Sequence, residues 1–202
     1  MVVGILGGVL VVTMAMGMPI AWALGIAGVL SLLAMGGVPF QVIPQKLFTG
    51  IDSFPLMAIP FFILSGELMQ KGGITKKLVV MADYLVGWMP GGLGHANIVD
   101  SMFFGGITGS AIADASALGP IEFQMMTEAG YDPETSIGLT AASACMGPII
   151  PPSIPMVVYA TAVGTSIGGL FVAGIMPGIL IGLSLMAVLY FIAKKRKYPR
   201  RT

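Results

Sequence analysis

The sequence predicts an all-α polytopic membrane protein, and three observations carry that prediction. Hydrophobic residues make up 56% of the 202-residue chain and charged residues only 9%, against roughly 25% charged in ordinary soluble domains. Mean hydropathy is +0.94. The apolar residues fall in long runs separated by short connections. At about 20 residues per span, with shorter tilted or re-entrant pieces, the length allows roughly six to eight elements.

The bilayer is therefore the first partner. A net charge of +1, with no basic face among aromatics, argues against nucleic acid. The first charge is Lys46, so residues 1–17 lack the basic start of a cleavable signal and read as a retained helix. Cys145 is the single cysteine, which excludes an internal disulfide; a small packing role within its helix is expected. His95 has no cysteine or second histidine with which to hold zinc.

Each run has its own punctuation. Residues 2–16 are apolar and end at the turn Gly17-Met18-Pro19, where Pro19 suits a first helical turn. Residues 20–35 form the second run, closed by Gly36-Gly37-Val38-Pro39. Residues 40–53 are shorter and mixed, with Pro44, Lys46 and Asp52, and suit an interfacial piece. Residues 55–69 are apolar again, ending at Glu67, Lys71, Gly72 and Gly73; Glu67 and Lys71 are expected to snorkel. Residues 74–88 set Lys76, Lys77 and Asp83 among Leu78, Val79, Met81 and Leu85, the pattern of a helix lying in the headgroup plane.

The next region is broken twice. Residues 91–106 and 111–127 are apolar arms around the tip Gly105-Gly106-Ile107-Thr108-Gly109-Ser110. After the polar turn Gly130-Tyr131-Asp132-Pro133-Glu134, residues 135–146 and 154–163 are half-length helices around Gly147-Pro148-Ile149-Ile150-Pro151-Pro152-Ser153. Residues 166–193 are a long span ended by Lys194, Lys195, Arg196, Lys197, Arg200 and Arg201. Glycine spacings such as Gly4/Gly8 and Gly174/Gly178/Gly182 would let helices approach closely.

The basic tail places the chain's end in the cytoplasm. Tracing back, a re-entrant hairpin over residues 91–127 keeps every Lys and Arg except Lys46 on that side, and puts Met1 outside.

Non-helical backbone at membrane depth is tolerated only where protein buries it or a watery cavity receives it, and paired breaks point to a transport site. The first arm would end near Gly106 with carbonyls suited to a cation. The second would begin at Ser110, an N-cap, with N–H groups suited to a carboxylate and Asp114 in its first turn. At the second break, Gly147 and Pro148 would leave carbonyls unpaired, and Ser153 would cap the following half-helix. Two such breaks facing each other would make a Na⁺ site with the substrate alongside. Asp114, in a small-residue, apolar setting, is a candidate functional carboxylate. Asp100 and His95, near the start of an arm, are expected to face water. Glu122 stays open between packing partner and pathway residue. Gly106–Ser110 lacks the lysine of a nucleotide-binding loop.

Long ungapped stretches now become informative. Leu47-Phe48-Thr49-Gly50-Ile51-Asp52-Ser53-Phe54-Pro55-Leu56, Ile59-Pro60-Phe61-Phe62-Ile63-Leu64-Ser65-Gly66-Glu67-Leu68-Met69, Gly109-Ser110-Ala111-Ile112-Ala113-Asp114-Ala115-Ser116-Ala117-Leu118-Gly119 and Gly147-Pro148-Ile149-Ile150-Pro151-Pro152-Ser153-Ile154-Pro155-Met156 resemble the large membrane (DctM-like) subunit of tripartite ATP-independent periplasmic, or TRAP, transporters. The resemblance covers essentially the whole chain. It implies an elevator-type secondary importer of small organic acids in the bacterial inner membrane. C4-dicarboxylates and sialic acids are such substrates, a Na⁺ gradient drives their import, and no enzymatic activity or cofactor is implied. It also implies two partners, a periplasmic substrate-binding protein and a small four-helix membrane subunit.

Carried onto this chain, residues 1–90 become scaffold helices with an interfacial arm, 91–165 a transport-domain hairpin and broken helix, and 166–202 the last span and tail. Thr108, Ser110, Asp114 and Ser153 become substrate ligands; Gly109, Ser110, Gly147, Ile150 and Pro152 become Na⁺ ligands. The family's large subunit is about twice this long and holds two inverted repeats. The chain corresponds to the first, so a C-terminal half is expected to complete it.

Two other readings compete: a binding-protein-independent Na⁺/carboxylate transporter of the same superfamily, and a truncated remnant without activity. An ion channel would show conductance rather than saturable uptake. One His, one Cys and no paired carboxylates at helical spacing in a span give catalysis little to build on. Reporter fusions at the two ends test the topology: a periplasmic signal at Met1 and a cytoplasmic one at Arg201 are expected, and the reverse would overturn it.

Overall fold

The computed structural model describes residues 2–37, 39 and 41–200. Met1 and Arg201, on which the topology rests, lie outside the described residues, as do Val38 and Phe40. Among the described residues all regular structure is helical, and the chain divides into two compact units, residues 1–52 and 53–202.

The first unit holds α1 (Val2–Ala15), α2 (Ile20–Met35) and α3 (Val42–Ile51). Helices α1 and α2 pack together as an antiparallel pair joined by the tight turn at Gly17, whose φ of 79° favours glycine. Pro19 is the residue just before α2, at its N-cap. The buried seam of α2 is Ala23, Ala27 and Ser31, a one-in-four stripe of small side chains that lets backbones approach where apolar burial gives no net drive. The Gly4/Gly8 spacing does not act this way: neither glycine has a neighbour within 4 Å of where a Cβ would sit. Large side chains such as Val3, Trp22, Leu24 and Phe48 point outward, as lipid-facing positions should.

The second unit begins with a 3₁₀ turn (Phe54–Met57) and continues through α4 (Ala58–Lys71), α5 (Ile74–Val86), α6 (Gly92–Thr108), α7 (Ala111–Ala117), α8 (Gly119–Glu128), α9 (Pro133–Ala144), α10 (Ile154–Val163) and α11 (Ile167–Arg196). The expected second arm is thus two helices, α7 and α8, parted at Leu118, where Pro120 in the next turn cannot donate to the ladder.

Helix α6 is the centre: it packs against α4, α5, α7, α8, α9 and α11. Its inward face runs Asn97, Asp100, Ser101, Phe104 and Thr108, all buried, at the i, i+3, i+4, i+7 spacing of a single stripe. Polar residues form most of that stripe while Phe103 points out. This inverts soluble amphipathicity and is where intramembrane polar groups belong.

The last helix is long and apolar enough to cross a membrane, with 30 residues. Gly174, Gly178 and Gly182 form its buried face, as their spacing leads one to expect. A Cβ on Gly174 would sit 2.5 Å from the carbonyl oxygen of Ile149, and one on Gly182 would sit 2.7 Å from Met102 Sδ. The glycines thereby let α11 lie directly on the second break and on α6. Gly174→Ala should push α11 off that backbone, at about 1–3 kcal/mol. Gly138→Ala, at a helical site with nothing within 4 Å, should be neutral or slightly stabilising. Thermal unfolding of the two variants in detergent checks this, and equal midpoints would contradict the packing.

Candidate functional site

The hairpin turns at Gly109, whose φ of 63° caps α6 in the left-handed region while its N–H donates to the Gly105 carbonyl. Ser110 is extended, and its Oγ accepts the Ala113 N–H at 3.4 Å. Ser110 is therefore the N-cap of α7, with Asp114 in the first turn. At the second break, α9 ends at Ala144 and α10 starts at Ile154. Ser153 Oγ accepts the Met156 N–H at 3.2 Å and donates to the Pro148 carbonyl at 2.5 Å. The Pro148 carbonyl is thus paired, a correction to the expectation that it stays free.

The two breaks touch through bare backbone. The Ile154 N–H donates to the Gly109 carbonyl at 3.3 Å. A Cβ on Gly105 would lie 2.6 Å from Gly147 Cα, and one on Gly109 would lie 2.6 Å from the Pro152 carbonyl oxygen. A Cβ on Gly147 would lie 3.3 Å from the Ser110 carbonyl carbon. Only glycine lets two unwound segments meet so closely. Among the described residues, the Gly147, Ile150 and Pro152 carbonyls accept no hydrogen bond. Oxygens of that kind are what a hard monovalent cation seeks.

The other expected ligands are placed less uniformly. Ser110 is half-buried and, with Thr108, lines a cavity of about 410 Å³ against Gly66, Glu67 and Gln70 of α4. Glu67 on that wall pairs with Lys71 at 3.9 Å. The Thr108 hydroxyl donates to the Phe104 carbonyl at 3.3 Å. Ser153 is fully buried with its hydroxyl committed on both sides, and Asp114 is 1% exposed. In this conformation, therefore, Ser110 is the one of the four substrate candidates that is open to the cavity with its hydroxyl proton uncommitted.

Beneath the tip lies a buried polar cluster that sequence reasoning placed wrongly. Asp100 and His95 are both 0% exposed, not facing water; each sits where α6 meets its neighbours. Asn97 joins three helices. Its amide donates to Glu122 Oε2 on α8 at 2.5 Å and to Thr140 Oγ1 on α9 at 2.8 Å, while its carbonyl accepts from Ser143 at 2.8 Å. Ser101 Oγ donates to Ser143 Oγ at 3.1 Å. Asn97 and Glu122 stand almost equally far from Gly109, which shows that the two arms run antiparallel. Glu122, left open above, is thus a cross-helix partner of Asn97. The signal that could have found the cluster is the 97/100/101/104/108 spacing, which marks these polar groups as one helix face.

Cys145 also departs from expectation: it is exposed. The buried stripe of α9 is Ser136, Thr140, Ser143 and Ala144, and one further residue turns the side chain about 100° off it.

Asn97→Leu should destabilise the chain by about 1–3 kcal/mol for each buried group it orphans. Adding Glu122→Leu should cost less than the sum of the two single changes. Additive losses in detergent melts would contradict the coupling.

The family described as "Tripartite ATP-independent periplasmic transporter, DctM component" matches residues 7–202. The chain is 47% identical over 189 residues to the sialic acid TRAP transporter permease protein SiaT of Haemophilus influenzae, covering 94% of this chain and 31% of that protein. It is 44% identical over 182 residues to the sialic acid TRAP transporter large permease protein SiaM of Vibrio cholerae, covering 90% and 43%. To the C4-dicarboxylate TRAP transporter large permease protein DctM of Pseudomonas aeruginosa it is 40% identical over 177 residues, covering 88% and 42%. These relatives are named as permeases, and none as an enzyme. The chain spans less than half the length of each. It belongs to the DctM component family of the tripartite ATP-independent periplasmic transporters.

Proposed function

We propose that this chain supplies the first half of the large permease subunit of a Na⁺-coupled importer of small organic acids in the bacterial inner membrane. The observation that carries the reading is the contact of two helix breaks through glycine backbone, with the carbonyls of Gly147, Ile150 and Pro152 unpaired beside it. Those three carbonyls, with Gly109 and the Ser110 hydroxyl, are the Na⁺ ligands. The Gly109 carbonyl keeps a second lone pair after accepting from Ile154.

The substrate carboxylate is held at the start of α7, where Ser110 lies and the first N–H groups are directed toward an anion. Thr108, Asp114 and Ser153 shape the site from within: Thr108 closes α6, Asp114 sits behind the α7 N-terminus, and Ser153 starts α10. A second inverted repeat faces these elements and completes the substrate site. A small four-helix subunit braces the assembly and a periplasmic binding protein delivers the acid. Sialic acid and C4-dicarboxylates, named for the relatives, set the substrate class. The hairpin and broken helix of residues 91–165 travel as one elevator domain. In this topology Met1 is periplasmic and the basic tail cytoplasmic.

The test uses the complete transporter. Ser110→Ala removes one neutral hydrogen-bonding group, worth about 0.5–1.5 kcal/mol, so the Na⁺ concentration for half-maximal uptake should rise roughly 2- to 10-fold. Asp114→Ala should weaken Na⁺-coupled uptake as well, with membrane insertion intact. Unchanged Na⁺ dependence in both variants would overturn the site.

A further inference from the structure

A cavity of about 360 Å³ lies at the basic end of α11. Tyr190 and Lys194, at i and i+4 on one face of the helix, line it together with Lys197, the residue that caps the helix. Lys197 is the one described non-glycine residue with positive φ, at 56°. That left-handed step ends the helix and turns the chain back, so that Tyr198 and Arg200 close the cavity from the other side. A left-handed lysine costs about 1–2 kcal/mol, so the surroundings must hold it there.

They do. The ring of Tyr198 stacks on Tyr131 with centroids 4.1 Å apart. The Tyr198 hydroxyl donates to Asp132 Oδ2 at 2.5 Å, and the Tyr131 hydroxyl accepts the Gly94 N–H at 3.3 Å. Burial pushes the Tyr131 phenol up to about 12, so this pillar stays neutral at any physiological pH. The Ala193 carbonyl accepts both the Lys197 and Tyr198 N–H groups, which fixes the chain reversal at the helix end.

Charge is sorted by face. Arg196 turns away and pairs with Asp132, which leaves Lys194, Lys197 and Arg200 as the charged residues lining the cavity among the described residues, with no carboxylate among those. Its depth in the bilayer follows from length. Thirty residues rise about 45 Å against a hydrocarbon core of about 30 Å, and the apolar run stops at Ala193. The three cations therefore sit at headgroup level. Tyrosine walls, apolar in body and polar at the tip, suit the same depth.

We propose that this cavity binds the phosphodiester headgroup of an anionic membrane phospholipid, with Lys194, Lys197 and Arg200 as its cationic ligands. A bound lipid ties the end of α11, and through Tyr198 and Asp132 the base of the hairpin and the start of α9, to one leaflet. The site stands apart from the transport reading and does not depend on it.

The experiment is native mass spectrometry of the complete transporter, purified in neutral detergent and titrated with phosphatidylglycerol and, separately, with phosphatidylcholine. Phosphatidylglycerol should bind at one saturable site, at least 5-fold tighter than phosphatidylcholine. The double variant Lys194→Gln/Lys197→Gln should lose most of that preference. Lys195→Gln removes an equal kind of charge outside the cavity and should leave it unchanged. Equal binding of both lipids would overturn the site, as would an equal loss in Lys195→Gln, the mark of diffuse attraction. Inorganic phosphate that binds alone and displaces the lipid at millimolar concentration would overturn the lipid assignment in favour of a free anion. Should the double variant melt early, Arg200→Gln, beyond the helix, must show the same selective loss.

Discussion

Backbone that leaves a helix inside an apolar medium must find other partners, and the fold is arranged around that need. Each unpaired amide or carbonyl in hydrocarbon costs several kcal/mol. Here the two unwound segments partly satisfy each other: Ile154 donates to Gly109, and Ser110 and Ser153 cap the helices that follow. The contact is possible because Gly105, Gly109 and Gly147 hold no side chain between the strands of backbone. Among the described residues, the Gly147, Ile150 and Pro152 carbonyls remain unpaired.

The surrounding helices hold those breaks in register. Gly174 and Gly178 bring α11 down onto Ile149 and Ile150, while α6, the first arm of the hairpin, packs on α7 and α8 of the second. Below the tip, packing is polar rather than oily. Asn97 makes three side-chain hydrogen bonds that tie α6 to α8 and α9, a geometry that fixes the arms' register more sharply than apolar contact does. Asp100, Asp114 and Glu122 cluster around it, sealed from water. At the opposite end, Tyr131, Asp132, Arg196 and Tyr198 clamp the last helix to the base of the hairpin. The unit from Ser53 onward is thereby pinned at both ends, near the breaks by glycine and near the tail by aromatic and ionic contacts.

Much of this was legible in the sequence, for identifiable reasons. Breaks are announced by glycine, proline and capping serine, local signals that survive without knowledge of the fold, so Ser110, Asp114 and Ser153 fell where their residue types placed them. The Gly174/Gly178/Gly182 stripe was legible because close approach leaves a periodic trace. Gly4 and Gly8 leave the same trace with nothing packed on it, so spacing alone does not decide. Asp100, His95 and Cys145 were misplaced because exposure depends on which way a helix face turns, and a residue's distance from a helix end does not give that. The pairing of Pro148 with Ser153 and the burial of Asp114 behind the tip are tertiary facts with no local signature.

The central claim is that the two breaks form a single cation site. Hydrogen–deuterium exchange of the complete transporter, in Na⁺ and in choline at equal ionic strength, tests it most directly. The account predicts that Na⁺ slows exchange together across residues 105–111 and 147–156, with one common Na⁺ midpoint, while the amides of α1 and α2 are unaffected. Protection at neither segment, or at one alone, would contradict it.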